Sequence, residues 1–285
     1  KLIYFFMIVW LASYPKSGNT WVRIFLSTLL YSNNKTKVDI NKEHLKQFPL
    51  KKHFKGLVNN FLELDEVAKY SIAAQEIINL KDGIKFYKTH SANWKNFEKN
   101  YYFTNSINSL GAIHIVRDPR NIISSILDYY NKKNYDDAFN FLIDKGKVLG
   151  GTKYDNGIPT ILLSWADHYN SWKVFKKNYL LIKYENLISN PQEEFFKLTD
   201  YLTSIGHYKF NNKQILEIID NCHFEKFSKQ EENEGYIDQT VENRDLKKKF
   251  FNLGPKNDWK KNLTSEITSK IEKQFEKEMR EIGYL

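Results

Sequence analysis

The chain has 285 residues, 41% of them apolar and 27% charged, which suits one large soluble α/β domain with enough sequence to bury a full central sheet. A single cysteine, Cys222, excludes an internal disulfide and a cysteine-based zinc site and fits a reducing compartment. The formal charge of +9 favours anionic partners, either a phosphate or sulfate compound, a nucleic acid or a membrane surface, although a lysine-rich solvated surface accounts for such a charge equally well.

The first element is the apolar run Leu2–Leu11. It is shorter than the roughly 20 residues a bilayer demands and lacks a small-residue cleavage pattern, so it reads as a buried strand rather than a signal peptide or an anchor. The strand YFFMIVWLA gives way to the turn SYPKSG and then to NTWVRIFLSTLLY, whose apolar residues at 21, 24, 25 and 29 keep a helical period. Residues 35–80 read as helices and loops, and a short strand GIKFYKTH follows them. The second unit runs GAIHIV, a turn at Arg117–Pro119, then RNIISSILDYY, with Asp118 placed to cap the helix and Pro119 suited to its first turn. Helices and loops are expected again over 130–165. The third unit is strand LLIKY, a turn, and a helix started by Asn190 and Pro191 with Glu193 and Glu194 in its first turn. One amphipathic helix, ending near Gly283, is expected to close the chain. Strands alternating with helices predict a three-layer, mostly parallel α/β sheet within a single domain over 1–285, with ligands beyond the carboxyl ends of the strands.

The turn PKSGNTW has the parts of an anion cradle. Gly18 permits close approach, Ser17, Asn19 and Thr20 offer hydrogen bonds, Lys16 brings a mobile charge, and the following helix contributes the positive end of its dipole. It is not a Walker A loop, because the lysine precedes the glycine and the first glycine is absent. That order, and the absence of an obvious carboxylate pair for a metal, argue against a nucleoside or small-molecule kinase. A basic protein that binds nucleic acid is the alternative outside the enzymes, and no nucleic-acid partner is expected if the turn is read as a small-ligand cradle. At the second turn, Arg117 and Ser125 lie eight residues apart, so one face presents a guanidinium and a hydroxyl to the same phosphate; Ser124 serves if the register slips by one. Arg120 reads as a surface charge or an extra contact, and His114, inside a strand, as a core residue.

Tyr14–Trp21, YPKSGNTW, closely resembles the phosphosulfate loop of PAPS-dependent sulfotransferases of the cytosolic type, with Asn19 the one departure. The resemblance spans residues 8 to 264 and implies a P-loop-like strand–loop–helix that grips the 5′-phosphosulfate of 3′-phosphoadenosine 5′-phosphosulfate (PAPS), with no metal. It implies that Lys16 stabilises the leaving phosphate and that Arg117 and Ser125 hold the 3′-phosphate. The segment KFYKTHSA is similar to the family's K-T-H motif, which makes His90 the general base and places Lys88 near the transferring group. Taking a proton from an alcohol or amine suits an imidazole near neutral pH, and the remainder of such catalysis is positioning and charge stabilisation. Trp21 and Tyr184 fall beside the nucleotide in the resemblance, Cys222 where a threonine is usual and Phe224 where an adenine-stacking phenylalanine is usual. The stretch FFNLGPKNDWKK is similar to the family's C-terminal donor segment at Gly254, Asp258, Trp259 and Lys260, but Asn252 and Leu253 replace its basic pair. Weaker donor affinity or a rearranged loop is expected there, with Lys249 or Lys256 as substitutes. The family's dimerisation segment is poorly kept, so no dimer is carried over. The acceptor is expected to be a small molecule, glycan or lipid bearing a hydroxyl or amine, and the location is expected to be cytoplasmic, with no stable membrane insertion.

Overall fold

The computed structural model describes residues 7–33, 36–42, 45–151, 158–176, 178–236, 243 and 246–285. The chain forms two compact units, one made of Lys1–Pro15, Lys46–Val116 and Phe141–Ile182, the other of Lys16–Leu45, Arg117–Asn140 and Lys183–Leu285.

The first unit is built on a five-stranded sheet. Its strands are β1 (Ile8–Ser13), β2 (Lys46–Gln47), β3 (Lys85–Thr89), β4 (Ser109–Val116) and β5 (Tyr179–Lys183, whose last residue begins the second unit), ordered β2-β3-β1-β4-β5. β1 pairs in parallel with β3 and with β4, and β2 pairs in parallel with β3. The expected mixed α/β fold with a mostly parallel sheet is therefore what forms. Every residue of β1 and of β4 is buried, which is why IVWLAS and SLGAIHIV read as near-continuous apolar runs instead of alternating. Trp10 anchors the core of this unit, 5.0 Å from the ring of Phe103 and 5.5 Å from that of Phe48, with Tyr87 and Trp172 in the same cluster. Its indole N–H donates to Ser109 Oγ at 2.6 Å, so the buried polar edge of the ring is satisfied. Residues 4–6 of the first predicted strand lie outside the described residues.

The second unit is helical. α1 (Asn19–Tyr31) buries Val22, Ile24, Phe25, Leu26 and Leu29 and matches the predicted helix residue for residue. α2 (Pro119–Tyr129) starts as its sequence dictates: the Asp118 carboxylate accepts from the Arg120 N–H, and Pro119 occupies the first turn. The helix Pro191–Gly206 carries Asn190 at its N-cap and Glu193 and Glu194 in its first turn, as expected.

Two expectations change. The turn expected after LLIKY is a short helix, Tyr184–Ser189, whose buried Tyr184 and Leu187 are three residues apart; six residues leave too little periodicity to detect. The closing helix is two helices, Ser265–Gln274 and Glu276–Ile282, because the chain bends at Phe275, whose side chain is fully buried. The second one does end at Gly283, which takes the left-handed conformation of a helix C-cap.

Candidate active site

In the second unit the turn that precedes α1 is strained in the way an anion loop is. Lys16 has φ 66° and Gly18 φ 95°, and a Cβ on Gly18 would lie 2.4 Å from the ring of Tyr184. Only glycine allows both the backbone angle and the approach of that ring. The Arg117 Nη1–H donates to the carbonyl oxygen of Lys16 at 2.9 Å, and the guanidinium stacks 4.2 Å from the centre of the Tyr184 ring. Arg117 and the phosphosulfate-type turn thus form one site, with Tyr184 as its floor. Trp21, the third residue of α1, meets Tyr184 edge-on at 6.3 Å and Phe195 at 6.2 Å.

Several polar atoms of this site are buried without a hydrogen-bond partner among the described residues: Ser17 Oγ, Arg117 Nε and Trp21 Nε1. Ser17 is 0% exposed and Arg117 5%. Buried donors left unpaired are costly, and donors converging on a helix N-terminus are what an oxyanion uses. Arg117 also makes no ion pair among the described residues, so its charge is not spent on Asp118. Burial, helped by the Arg117 charge, lowers the Lys16 ammonium to about 8, against an opposing pull from Asp128 and Glu231.

Ser125 lies on α2, where its Oγ accepts from Asn257 Nδ2 at 3.2 Å; Asn257 also donates to the carbonyl of Asn121, and the Trp259 N–H donates to Asn121 Oδ1. The C-terminal segment is therefore pinned to α2, the helix that follows Arg117. Ser124 is directed elsewhere, 3.5 Å from Tyr135 Oη. Gly254 has φ 49°, and a Cβ there would meet the Phe224 ring at 2.3 Å, so Phe224 and Gly254 pack directly together. Cys222 caps the helix Asn212–Asn221, is wholly buried, and has its thiol pushed far up by burial. Asn19 and Thr20 begin α1, with Asn19 buried. Lys249 pairs with Glu232 at 2.5 Å on the surface, and Lys256 is exposed.

Arg120 departs from its expected place as a surface charge. It is 6% exposed, ion-paired to Asp118 at 2.7 Å and to Glu272 at 2.5 Å, bonded to the carbonyl of Tyr284, and stacked on Trp259 at 4.0 Å. Its partners are far along the chain, so no local pattern shows the pairing. Trp259 and Tyr284, together with Glu185, which accepts from Tyr284 Oη at 2.8 Å and from the Asp118 N–H at 3.0 Å, lock the C-terminus onto the arginine turn. Asn257, Asn121, Tyr129 and Phe250 carry contacts that the sequence does not announce.

In the first unit His90 follows β3. Its Nδ1–H donates to the carbonyl of Ser13 at 2.9 Å, and Nδ1 lies 3.2 Å from Ser13 Oγ, so a proton is held on Nδ1 and proton exchange falls to Nε2. The helix Trp165–Trp172 braces this turn: Trp172 Nε1–H donates to the carbonyl of Ser91 at 3.1 Å, and Ser171 Oγ accepts from the Asn93 N–H at 2.9 Å. His168, on the same helix, is lowered to about 3 by burial, which the backbone of His90 and Ser91 only partly offsets, so it is a neutral core residue. His114 is likewise buried, its Nδ1 2.7 Å from Tyr179 Oη, as its place inside a strand implies. Lys88 lies on β3 with Nζ donating to Gln47 Oε1 at 3.2 Å.

Comparison with known proteins gives the family. Two relatives are the amine sulfotransferase of Oryctolagus cuniculus, 22% identical with 96% of this chain and 81% of that protein covered, and the flavonol 3-sulfotransferase of Flaveria bidentis, 24% identical with 96% and 82% covered. Among solved structures, a mouse sulfotransferase, SULT7A1, complexed with PAP superposes with a TM-score of 0.58 at 18% identity, covering 96% of this chain and 85% of that one. A retinol dehydratase in complex with androsterone and inactive cofactor PAP gives 0.57 at 16%, covering 95% and 80%. These likenesses show a shared fold. Residues 8–283 match the family model described as Sulfotransferase domain, and the chain belongs to that family of transferases.

Proposed function

We propose that this protein moves a sulfuryl group from PAPS to a hydroxyl or amine of an acceptor and releases 3′,5′-ADP. The observation that carries the reading is the single site formed by the Lys16–Trp21 turn, Arg117 and Tyr184, where Ser17 Oγ and Arg117 Nε are buried without a hydrogen-bond partner among the described residues. Structural neighbours complexed with PAP support the same donor. The donor supplies an activated sulfuryl group on a phosphate leaving group. This chain binds the 5′ end through the N–H groups and hydroxyls of Ser17, Gly18, Asn19 and Thr20. It holds the 3′-phosphate through Arg117 and Ser125, and the base among Trp21, Phe224 and the Gly254 segment, beside Cys222.

His90 takes the proton of the acceptor at Nε2, the nitrogen left basic by the Nδ1–H bond to Ser13. Lys16 neutralises charge that develops on the departing phosphate, and Lys88 steadies the transferring group. The sulfuryl group passes in line from phosphate oxygen to acceptor oxygen or nitrogen while the acceptor proton moves to His90. The acceptor class is a small molecule, glycan or lipid, the chain acts as one domain, and the compartment is the cytoplasm.

Incubation with PAPS carrying labelled sulfate, across a panel of hydroxylated compounds and amines, tests the reading. Label transferred to an acceptor, with 3′,5′-ADP released in equal amount, supports it. Turnover of ATP in place of PAPS overturns it.

A further inference from the structure

The Lys16 ammonium is held in an unusual way. Its Nζ lies 4.2 Å from the centre of the Tyr129 ring and 4.4 Å from that of Phe250. The two rings meet edge-on at 6.0 Å and 88°, so Nζ sits against both faces of one aromatic corner. Each ring is fixed by its own support. Tyr129 ends α2, and Lys248 fastens the neighbouring segment to that helix end by donating to the carbonyl of Asp128 at 2.8 Å and to Asn131 Oδ1 at 2.6 Å. Phe250 is held through its backbone, because Glu231 Oε1 accepts its N–H at 2.6 Å and Glu231 Oε2 accepts the next N–H, of Phe251, at 2.9 Å.

The acidic groups that face Lys16 are engaged elsewhere. Glu231 is occupied by those two amides, and Asp128 accepts from Lys248 and from Asn252 Nδ2. No carboxylate forms an ion pair with Lys16 among the described residues, and Arg117 repels it. Ring faces attract a cation without cancelling its charge, whereas a carboxylate partner would have to be displaced before an anionic ligand could use the lysine.

We propose that Tyr129 and Phe250 are positioning residues of the transfer reaction, an aromatic corner that keeps the Lys16 ammonium charged, un-neutralised and aimed for the donor. The role in transfer rests on the donor-site reading above; the corner itself does not.

The test replaces Phe250 with mono-, di- and trifluorinated phenylalanine, which preserve its shape while draining the negative ring face, alongside Phe250→Leu and Phe250→Tyr. Two quantities are read: the acylation rate of Lys16 by mass spectrometry in the donor-free protein, and kcat with the best acceptor from the labelled-donor panel. The labelling rate is expected to climb with each fluorine and to reach about threefold or more in the trifluoro variant, as the ammonium loses support. Turnover should fall in the same order while KM for the donor moves little, with Phe250→Tyr near wild type and Phe250→Leu impaired. A flat labelling series overturns the corner, and a graded series with unchanged kcat overturns its role in transfer. Binding of 3′,5′-ADP to the wild type, measured in parallel, separates the two readings. Its absence sinks the donor site, and its presence beside a flat series sinks the aromatic corner alone.

Discussion

Gly18 shows how one atom's worth of space decides a site. Gly18→Ala adds a methyl group where the Tyr184 ring already lies and demands φ 95° of an alanine, so both packing and backbone oppose it. The expected loss is about 1–3 kcal/mol of stability, read by urea denaturation, together with loss of 3′,5′-ADP binding; wild-type binding by this variant would remove the turn from the donor site. Lys16 gives a pH signature. Its free-enzyme ammonium titrates near 8, because burial and Arg117 outweigh Asp128 and Glu231, so kcat/KM for the donor should fall as pH rises through about 8 instead of near its ordinary 10.5. In Lys16→Arg the alkaline limb set by this residue should vanish, whatever the absolute rate. The sign for stability follows from the same shift: between about 8 and 10.5 the unfolded chain holds a proton that the folded chain has lost, so the Lys16 contribution to stability rises with pH across that window. His90→Ala should abolish transfer and leave 3′,5′-ADP binding by calorimetry nearly intact. Loss of nucleotide binding instead would make the imidazole a structural residue held by Ser13.

At the scale of elements, α1 and α2 are legible because their information is local. Asp118 and Pro119 set the start of α2, and the apolar spacing of α1 continues over three turns. The six-residue helix at Tyr184 is too short to show a period, and the bend at Phe275 depends on where a single ring is buried. Long-range pairing is the other blind spot. Arg120 looks like surface charge in sequence, yet Asp118, Glu272, Trp259 and the Tyr284 carbonyl enclose it. Arg120→Ala leaves Asp118 and Glu272 without their buried partner and should cost about 3–5 kcal/mol. Chemical denaturation checks this, and a loss under about 1 kcal/mol would mean that the network relaxes into solvent. The segment Gly254–Lys260 is visible as a motif, but its docking through Asn257, Asn121 and Ser125 is not, because side-chain amides carry no periodic signal.

For the molecule as a whole, the formal charge of +9 acquires a specific meaning only at the site, where Lys16 and Arg117 stand without carboxylate partners among the described residues while Arg120, Lys249 and Lys270 are paired. The fold class and the strained glycine turn before α1 are readable in the sequence because a buried parallel strand, a glycine turn and a helix follow one another along the chain. The acceptor is not legible because no motif in the sequence marks a pocket for it. The most direct measurement of the central claim is calorimetric titration of the wild-type protein with 3′,5′-ADP and, separately, with 5′-ADP, which lacks the 3′-phosphate. If Arg117 and Ser125 read that phosphate, 3′,5′-ADP should bind at least about tenfold more tightly. Equal affinities, or no binding of either nucleotide, would contradict the assignment.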